Sequence, residues 1–452
     1  MSKSISRRAA LKKGAAAAMA AATVSSAATA APLLLPSTLN RYGSPNATIR
    51  IGCIGVGRMG SGDMRSLLAR GLEENVNARI VAVCDPDGNR AAAAKADIEK
   101  RYADKLSGAP TPEVDVYSDF RKLLERPDID AVSISTPDFW HAGHGVAAAR
   151  AKKDIYIQKP LTLTIDEGKH LVKAVRENGV ILQVGSQQRS DARFRQACEL
   201  VRNGRVGKLR QVEVWLPPDH GTAQPTATAK PEWFDYDMWM GPTAQREYNE
   251  LGVHPQKGYG RPGWLQRRGY TLGMITGWGS HMNDIAQWAR GTDRDSGLVE
   301  MEAQAHFPQR GMWDVHTSYF ARGKWADGVT LIQRTDPQAG VTFHGSEGWL
   351  FVRRGGIAAG PSSILEEKIS EDETHLYVSS DHYRNFLECV RSREEPICPV
   401  EVGHRSNTVC IMTHISMLLG RKLKWDLQKE MFIGDDEANA MLVEERRDPW
   451  KF

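Results

Sequence analysis

Residues 49–60 constrain the fold of this chain more than any other stretch. Ile49-Arg50-Ile51-Gly52-Cys53-Ile54 reads as a buried strand and runs directly into Gly55-Val56-Gly57-Arg58-Met59-Gly60. A helical pattern carrying Met64, Leu67 and Leu68 follows. Glycines at this spacing between strand and helix have a mechanical reading. The first permits a tight turn, the second lets backbone approach a pyrophosphate, and the third lets the helix pack close to the strand. The helix N-terminus then faces the negative charge. A second strand, Arg79–Cys84, ends at Asp85. An acid there suits the hydroxyls of an adenosine ribose and repels a 2′-phosphate, so NAD is expected and NADP is disfavoured. The competing reading is a glycine turn in an unrelated α/β domain.

Strands and helices keep alternating beyond this unit. Val114–Tyr117, Ala131–Ser135, Asp154–Gln158 and Val180–Val184 are expected strands. Asp119–Glu125 with Ser118 as its N-cap, His141–Ala151 and Ile165–Asn178 are expected helices. The order predicts a doubly wound parallel sheet over residues 49–186. Ligands of such sheets sit beyond the carboxyl ends of the strands, which points to Ser135-Thr136-Pro137-Asp138 and Gln158-Lys159-Pro160. In the second half, Gln211–Leu216 and Val299–Phe307 alternate at period two, as do parts of Asp314–Phe320 and Val329–Gln333. Val341–Val352 reads as a strand pair around Gly345, and Asp381–Arg393 and Glu401–Leu419 as amphipathic helices. Residues 187–452 thus form a second, α/β domain. Residues 217–270 are a Pro-, Gly- and aromatic-rich excursion too long for an idle connection.

Charge locates a different function. The formal net charge is +4, but Lys3, Arg7, Arg8, Lys12 and Lys13 fall within residues 1–30, which hold no acid. Removing those five leaves −1 for the rest, with no basic stripe for nucleic acid. The basic start, the Ala- and Thr-rich stretch to Pro36 and small residues at Ala28-Thr29-Ala30 read as a signal peptide over 1–30, with 31–48 a linker. Arg7-Arg8 with Leu11 and Lys12 resembles a twin-arginine signal, although Ala10 stands at the usual aromatic position. Export to the periplasm is expected, with no stable membrane insertion after cleavage. A disordered leader and an uncleaved anchor are the competing readings. The six cysteines lack CxxC spacing, so neither a disulfide framework nor a metal site is expected.

The glycine motif, Asp85, Ser135-Thr136-Pro137, Lys159-Pro160, Gly277-Trp278-Gly279-Ser280-His281-Met282-Asn283-Asp284 and Gly345-Ser346-Glu347-Gly348-Trp349 together resemble the glucose–fructose oxidoreductase/inositol dehydrogenase (Gfo/Idh/MocA) family. The resemblance implies a Rossmann domain followed by an α+β domain whose open, mainly antiparallel sheet covers the nicotinamide. It implies a sugar or cyclitol substrate and a homo-oligomer, dimer or tetramer. Gly55, Gly57, Arg58, Met59, Gly60 and Asp85 are then expected on the cofactor, joined by Ser135, Thr136, Pro137, His141, Gln158 and Lys159. Lys159 is expected to bond the oxygen undergoing redox, and His281 to take the hydroxyl proton. Asp284, one helical turn on, is expected to orient the imidazole or to hold another hydroxyl. Two departures matter. Gln158 replaces a more usual Glu, and Gly277 stands where inositol-dehydrogenase-like members carry Asp. Tyr236, Asp237, His254, Tyr259 and Tyr270 are candidates to supply the missing group.

Gln188, Trp278 and Tyr270 are expected on the substrate, with Gln187 and Arg189 nearby. Six of the 12 tryptophans (215, 233, 239, 264, 278 and 288) lie between 211 and 290. Aromatic faces stack on the C–H faces of sugar rings, while core packing accounts for others, Trp288 before Trp233. His141 has an equally good structural reading at a helix start. Asp381, His382 and His404 read as structural or as subunit contacts. Export and an NAD motif pull against each other, because no soluble NAD pool exists outside the cytoplasm. Three resolutions follow: a resident cofactor reoxidised by a second sugar or carrier, a redox-neutral NAD-dependent glycosidase, or a cytoplasmic enzyme. A non-catalytic sugar-binding protein on the same fold is the alternative of a different class.

Overall fold

The computed structural model describes residues 47–106, 111–221, 223–224, 228–253, 263–294 and 297–451. The expected signal peptide, most of the linker, His254 and Tyr259 lie outside them.

β1 (Ile49–Ile54) is buried except at Arg50, as its apolar run requires. The chain continues through α1 (Arg58–Gly71), β2 (Ala78–Cys84), α2 (Gly88–Lys105), β3 (Asp115–Tyr117), α3 (Phe120–Leu124), β4 (Ala131–Ile134), α4 (Asp138–Arg150), β5 (Asp154–Ile157), α5 (Ile165–Asn178) and β6 (Leu182–Val184). All pairings here are parallel, in the order β3-β2-β1-β4-β5-β6. The order reverses between β1 and β4, so both Gly55 and Ser135 emerge at the switch point where such sheets bind ligands. α2 had no place in the sequence expectations. Its Ala-rich run carries few periodic apolar residues, and Asp87 starts it by accepting from Asn89 N and Arg90 N. α3 is capped by Asp119, not Ser118, because the carboxylate accepts the Arg121 N–H at 2.9 Å.

The second sheet has nine strands in the order β13-β12-β11-β7-β10-β9-β8-β14-β15. These are β7 (Gln211–Leu216), β8 (Leu298–His306), β9 (Ser318–Trp325), β10 (Thr330–Thr335), β11 (Gly340–His344), β12 (Trp349–Arg353), β13 (Gly356–Gly360), β14 (Leu423–Asp426) and β15 (Met431–Phe432). Among the described residues only the β10–β7 pairing of this sheet is parallel, so the sheet is mixed and mainly antiparallel. The strict alternation of burial along β7 and β9 shows one face packed and one open. The packed face meets α6 (Ala192–Arg202), α9 (Gly279–Arg290) and α11 (Val400–Leu419), and α8 (Met274–Gly277) leads into α9.

The expected amphipathic helix at 401–419 is a correction. α11 is buried on nearly every side, and its polar residues face neighbouring elements rather than water. Ser406 donates to Asp284 and Asn407 to the Thr162 carbonyl. α10 (His382–Ser392) is amphipathic as expected, and its Phe386, Leu387 and Val390 complete the core of the first sheet with Ile49, Met64 and Tyr156. Packing also carries the described part of the 217–270 excursion, with α7 (Tyr236–Met240), onto the first sheet's helices. Trp239 accepts from Trp140 Nε1 at its carbonyl, and Trp233 accepts from Gly88 N.

Candidate active site

One cleft of about 1150 Å³ runs from the glycine turn to the start of α9. Gly55 holds φ +79°, and a Cβ there would lie 2.8 Å from the Ser135 carbonyl oxygen. A Cβ on Gly60 would lie 1.9 Å from the Gly55 oxygen, so only glycine allows α1 to pack this close. Gly57 caps α1 without a side-chain bond, leaving the first-turn N–H groups to face the cleft. Asp85 is buried beside them; its Oδ2 accepts Val56 N at 3.0 Å and Oδ1 accepts Asp87 N at 2.9 Å. A cradle this narrow, with helix dipole on one side and a fixed carboxylate at the end of β2, fits a dinucleotide with unphosphorylated ribose. Arg58, Met59, Ser135, Thr136 and Pro137 line the same cleft. The Ser135 hydroxyl turns away from it, donating to Asp63 Oδ2 at 2.6 Å.

Lys159 and its neighbours carry the centre of the cleft. Lys159 Nζ donates to the Gly277 carbonyl at 3.0 Å, tying the first sheet's edge to the approach of α9. Gln158 is buried, and its amide donates to both oxygens of Asp63, at 3.1 and 2.9 Å. Tyr383 OH adds a third donor group at 2.7 Å. The carboxyl group that Gln158 lacks is therefore supplied by Asp63, a buried acid in the second turn of α1 that no sequence motif marked. Burial pushes its pKa up, opposed by the Ser135, Tyr383 and Gln158 bonds and by Lys159. The signal existed: Asp63 lies on the apolar face of α1, between Gly60, Met64 and Leu67.

His281 lines the cleft, and its Nδ1 is buried with no hydrogen-bond partner among the described residues. Burial, then the charges of Lys159 and Arg354, hold its pKa well below the ordinary 6.5, so the ring is neutral and able to accept a proton. Trp278 and Gln188 line the cleft beside it. The Gln188 amide that satisfies both neighbours donates to the His281 carbonyl (3.3 Å) and accepts from Arg354 Nε (3.2 Å).

Three expectations change. Asp284 does not line the cleft; Arg189 grips it at 2.7 and 2.8 Å and Ser406 donates to it at 2.8 Å, so it holds elements together rather than the imidazole. Tyr270 is buried outside the cleft lining, packed against Phe139 and Trp239 with ring centres 5.1 and 5.3 Å apart. His141 lines the cleft, but its Nδ1 faces the Pro160 carbonyl at 2.6 Å and its Nε2 the Thr136 carbonyl at 2.9 Å. Burial brings its pKa down to about 4 against the pull of the two carbonyls, so the ring packs between the two loops and, when neutral, donates to one of the carbonyls only. Of the six tryptophans, 239, 264 and 278 border the cleft, Trp288 lies in the core, and Trp233 is exposed. Tyr236 packs against Trp239, and Asp237 pairs with Arg447; neither replaces a carboxylate at 277.

Residues 49–186 match the model described as oxidoreductase family, NAD-binding Rossmann fold, and residues 214–452 the one described as oxidoreductase family, C-terminal alpha/beta domain. The chain belongs to the Gfo/Idh/MocA oxidoreductase family. Residues 49–186 are accordingly an NAD-binding Rossmann domain, and the cradle at Gly55, Gly60 and Asp85 fits that nucleotide. The NAD-dependent scyllo-inositol 2-dehydrogenase of Bacillus subtilis is 33% identical over 162 residues, 35% of this chain and 42% of that protein. The chain spans about two fifths of the length of the curated relatives it matches first. Among solved structures, the WlbA dehydrogenase from Bordetella pertussis, in complex with NADH and UDP-GlcNAcA, superposes with a TM-score of 0.60 at 19% identity, covering 84% of this chain and 99% of that one. The aldose-aldose oxidoreductase from Caulobacter crescentus gives 0.58 at 18%, covering 83% and 99%. Both share the fold of this Gfo/Idh/MocA member.

Proposed function

We propose that this protein is an NAD-dependent oxidoreductase that moves hydride between a sugar or cyclitol carbon and the nicotinamide. One observation carries the reading: a neutral buried histidine and a lysine meet in the cleft that begins at the NAD cradle. NAD bound in that cradle supplies the hydride acceptor. His281 takes the hydroxyl proton, and a neutral imidazole is the form that does so. Lys159 holds the oxygen and stabilises alkoxide character as it develops. The Gly277 carbonyl and the field of Asp63 position that ammonium. The inositol dehydrogenases among the relatives and the sugar-nucleotide complex of a structural neighbour support this substrate class.

The test has two parts. Denaturing the purified protein should release NAD(H) close to one per chain. Lys159→Met should cut hydride transfer roughly 100-fold or more while sugar binding persists; unchanged turnover would overturn the assignment. We also propose export through the twin-arginine route with NAD resident, and assembly as a homo-oligomer. Changing Arg7-Arg8 to Lys-Lys should leave the protein in the cytoplasmic fraction; continued export of that variant refutes the route.

A further inference from the structure

The catalytic end of the cleft carries a cation that hydride transfer does not use. Arg354 sits in the turn between β12 and β13 and lines the cleft with Trp278 and His281. Its guanidinium carbon lies 4.6 Å from the centre of the Trp278 ring, and its Nε donates to the Gln188 amide oxygen in the amide orientation that satisfies both neighbours. Stacking and that single bond fix the plane of the group and leave its two terminal nitrogens without a protein partner among the described residues. No carboxylate among those residues forms an ion pair with it. Asp191 acts on it only through space, and the Asp191 carboxylate is itself engaged in capping α6 through Arg193 N at 2.8 Å. Burial accordingly draws the Arg354 pKa below the ordinary guanidinium range.

The charges around the reacting centre do not balance. Lys159 and Arg354 both act on His281, which is neutral. The other acids lining the cleft are spoken for: Asp85 belongs to the ribose end, and Asp138 accepts from Thr271 at 2.8 Å. Resting on the redox reading above, we propose that the substrate is a monoanionic sugar, a uronic or aldonic acid, whose carboxylate is held by Arg354 against Trp278. A guanidinium edge matches the two oxygens of a carboxylate, and its geometry is already set by the tryptophan. A single unpaired cation complements one negative charge, whereas a phosphate dianion calls for more than one. The bound carboxylate also offsets one of the two charges that weaken His281 as a base, so binding and proton transfer are coupled.

The test uses the full protein with its cofactor and matched sugars: D-glucuronate against D-glucose, D-galacturonate against D-galactose, and D-glucose 6-phosphate. Binding is read by quenching of tryptophan fluorescence and hydride transfer by reduction of bound NAD. The uronates should bind roughly ten-fold or more tightly than their neutral partners. Arg354→Ala should lower the uronate-to-neutral ratio of kcat/KM by about 10- to 100-fold, as loss of a charge-assisted bond requires. Arg354→Gln, which keeps the side-chain bulk, should do the same if the alanine variant does not fold. Equal affinities with both ratios unmoved by the substitution would overturn the carboxylate site and leave the redox function standing. Arg354-dependent uronate binding without hydride transfer from any sugar would sustain the site and refute the redox reading. A preference for the phosphate ester would overturn the monocarboxylate assignment.

Discussion

At the scale of single residues, the centre of the cleft is a charge that has changed address. Gln158 reads in the sequence as a lost carboxylate, and the structure returns that carboxylate on Asp63, 95 residues upstream, in contact with the same amide. Three side chains donate to it and offset part of the penalty that burial places on its charged form, although its pKa still lies above the ordinary carboxylate value. Asp63→Asn should cost about 1–3 kcal/mol of stability, since one buried donor loses its acceptor. It should also move the alkaline limb of the pH–rate profile toward neutrality, because Lys159 loses a favourable field. A stability loss with an unmoved profile would leave Asp63 a structural residue only. Restoring the more usual acid is not neutral in this setting: Gln158→Glu should place two carboxylates in contact and destabilise the fold, measured by urea unfolding at pH 7.

At the scale of elements, helical spacing put His281 and Asp284 on one stretch of α9, and both are indeed buried there. The spacing could not say which neighbour each would meet. His281 meets the cleft, whereas Asp284 meets Arg189, which also reaches Asp293 at 2.8 Å and stacks on Trp288. Removing Asp284 leaves buried Arg189 to Asp293 alone and takes the acceptor from Ser406. Asp284→Ala should therefore cost about 3–5 kcal/mol. The readout is urea unfolding alongside turnover per folded molecule; a large kcat loss with intact stability would return Asp284 to the chemistry. The same limit explains α11. Ser406, Asn407 and Thr413 look like a solvent face in sequence, but they bond to α9, to Thr162 ahead of α5 and to the second sheet.

At the scale of the molecule, the two sheets share packing that chain order does not suggest. α10 fills the core of the first sheet, and Trp239 of the excursion rests on Phe139 of α4. Burying so many polar groups has a pH consequence. His141, His382 and His414 are fully buried, and desolvation lowers each from 6.5 to about 4; His144 and His281 move in the same direction. The unfolded chain takes up these protons near pH 6.5 and the folded chain does not. Their stabilising contribution is thus complete above 6.5 and lost as pH falls below it. At pH 5 each of the three costs about 2 kcal/mol relative to neutrality. The unfolding midpoint in urea should drop steeply between pH 7 and pH 5; a flat response would show these rings to be protonated in the folded state.

The resemblance to the family pointed to Lys159 and His281, and both line the cleft; the parallel sheet and the NAD cradle were determined by the sequence itself. Those features rest on local rules: a turn that only glycine allows, strand runs bounded by helices, and an acid at a strand end. The tertiary structure alone decided which buried charges meet. Asp63 beside Gln158, Asp284 on Arg189, and Arg354 open to the cleft are contacts between residues far apart in the chain. No periodicity encodes such a contact, because the energy of a buried charge depends on what surrounds it in three dimensions.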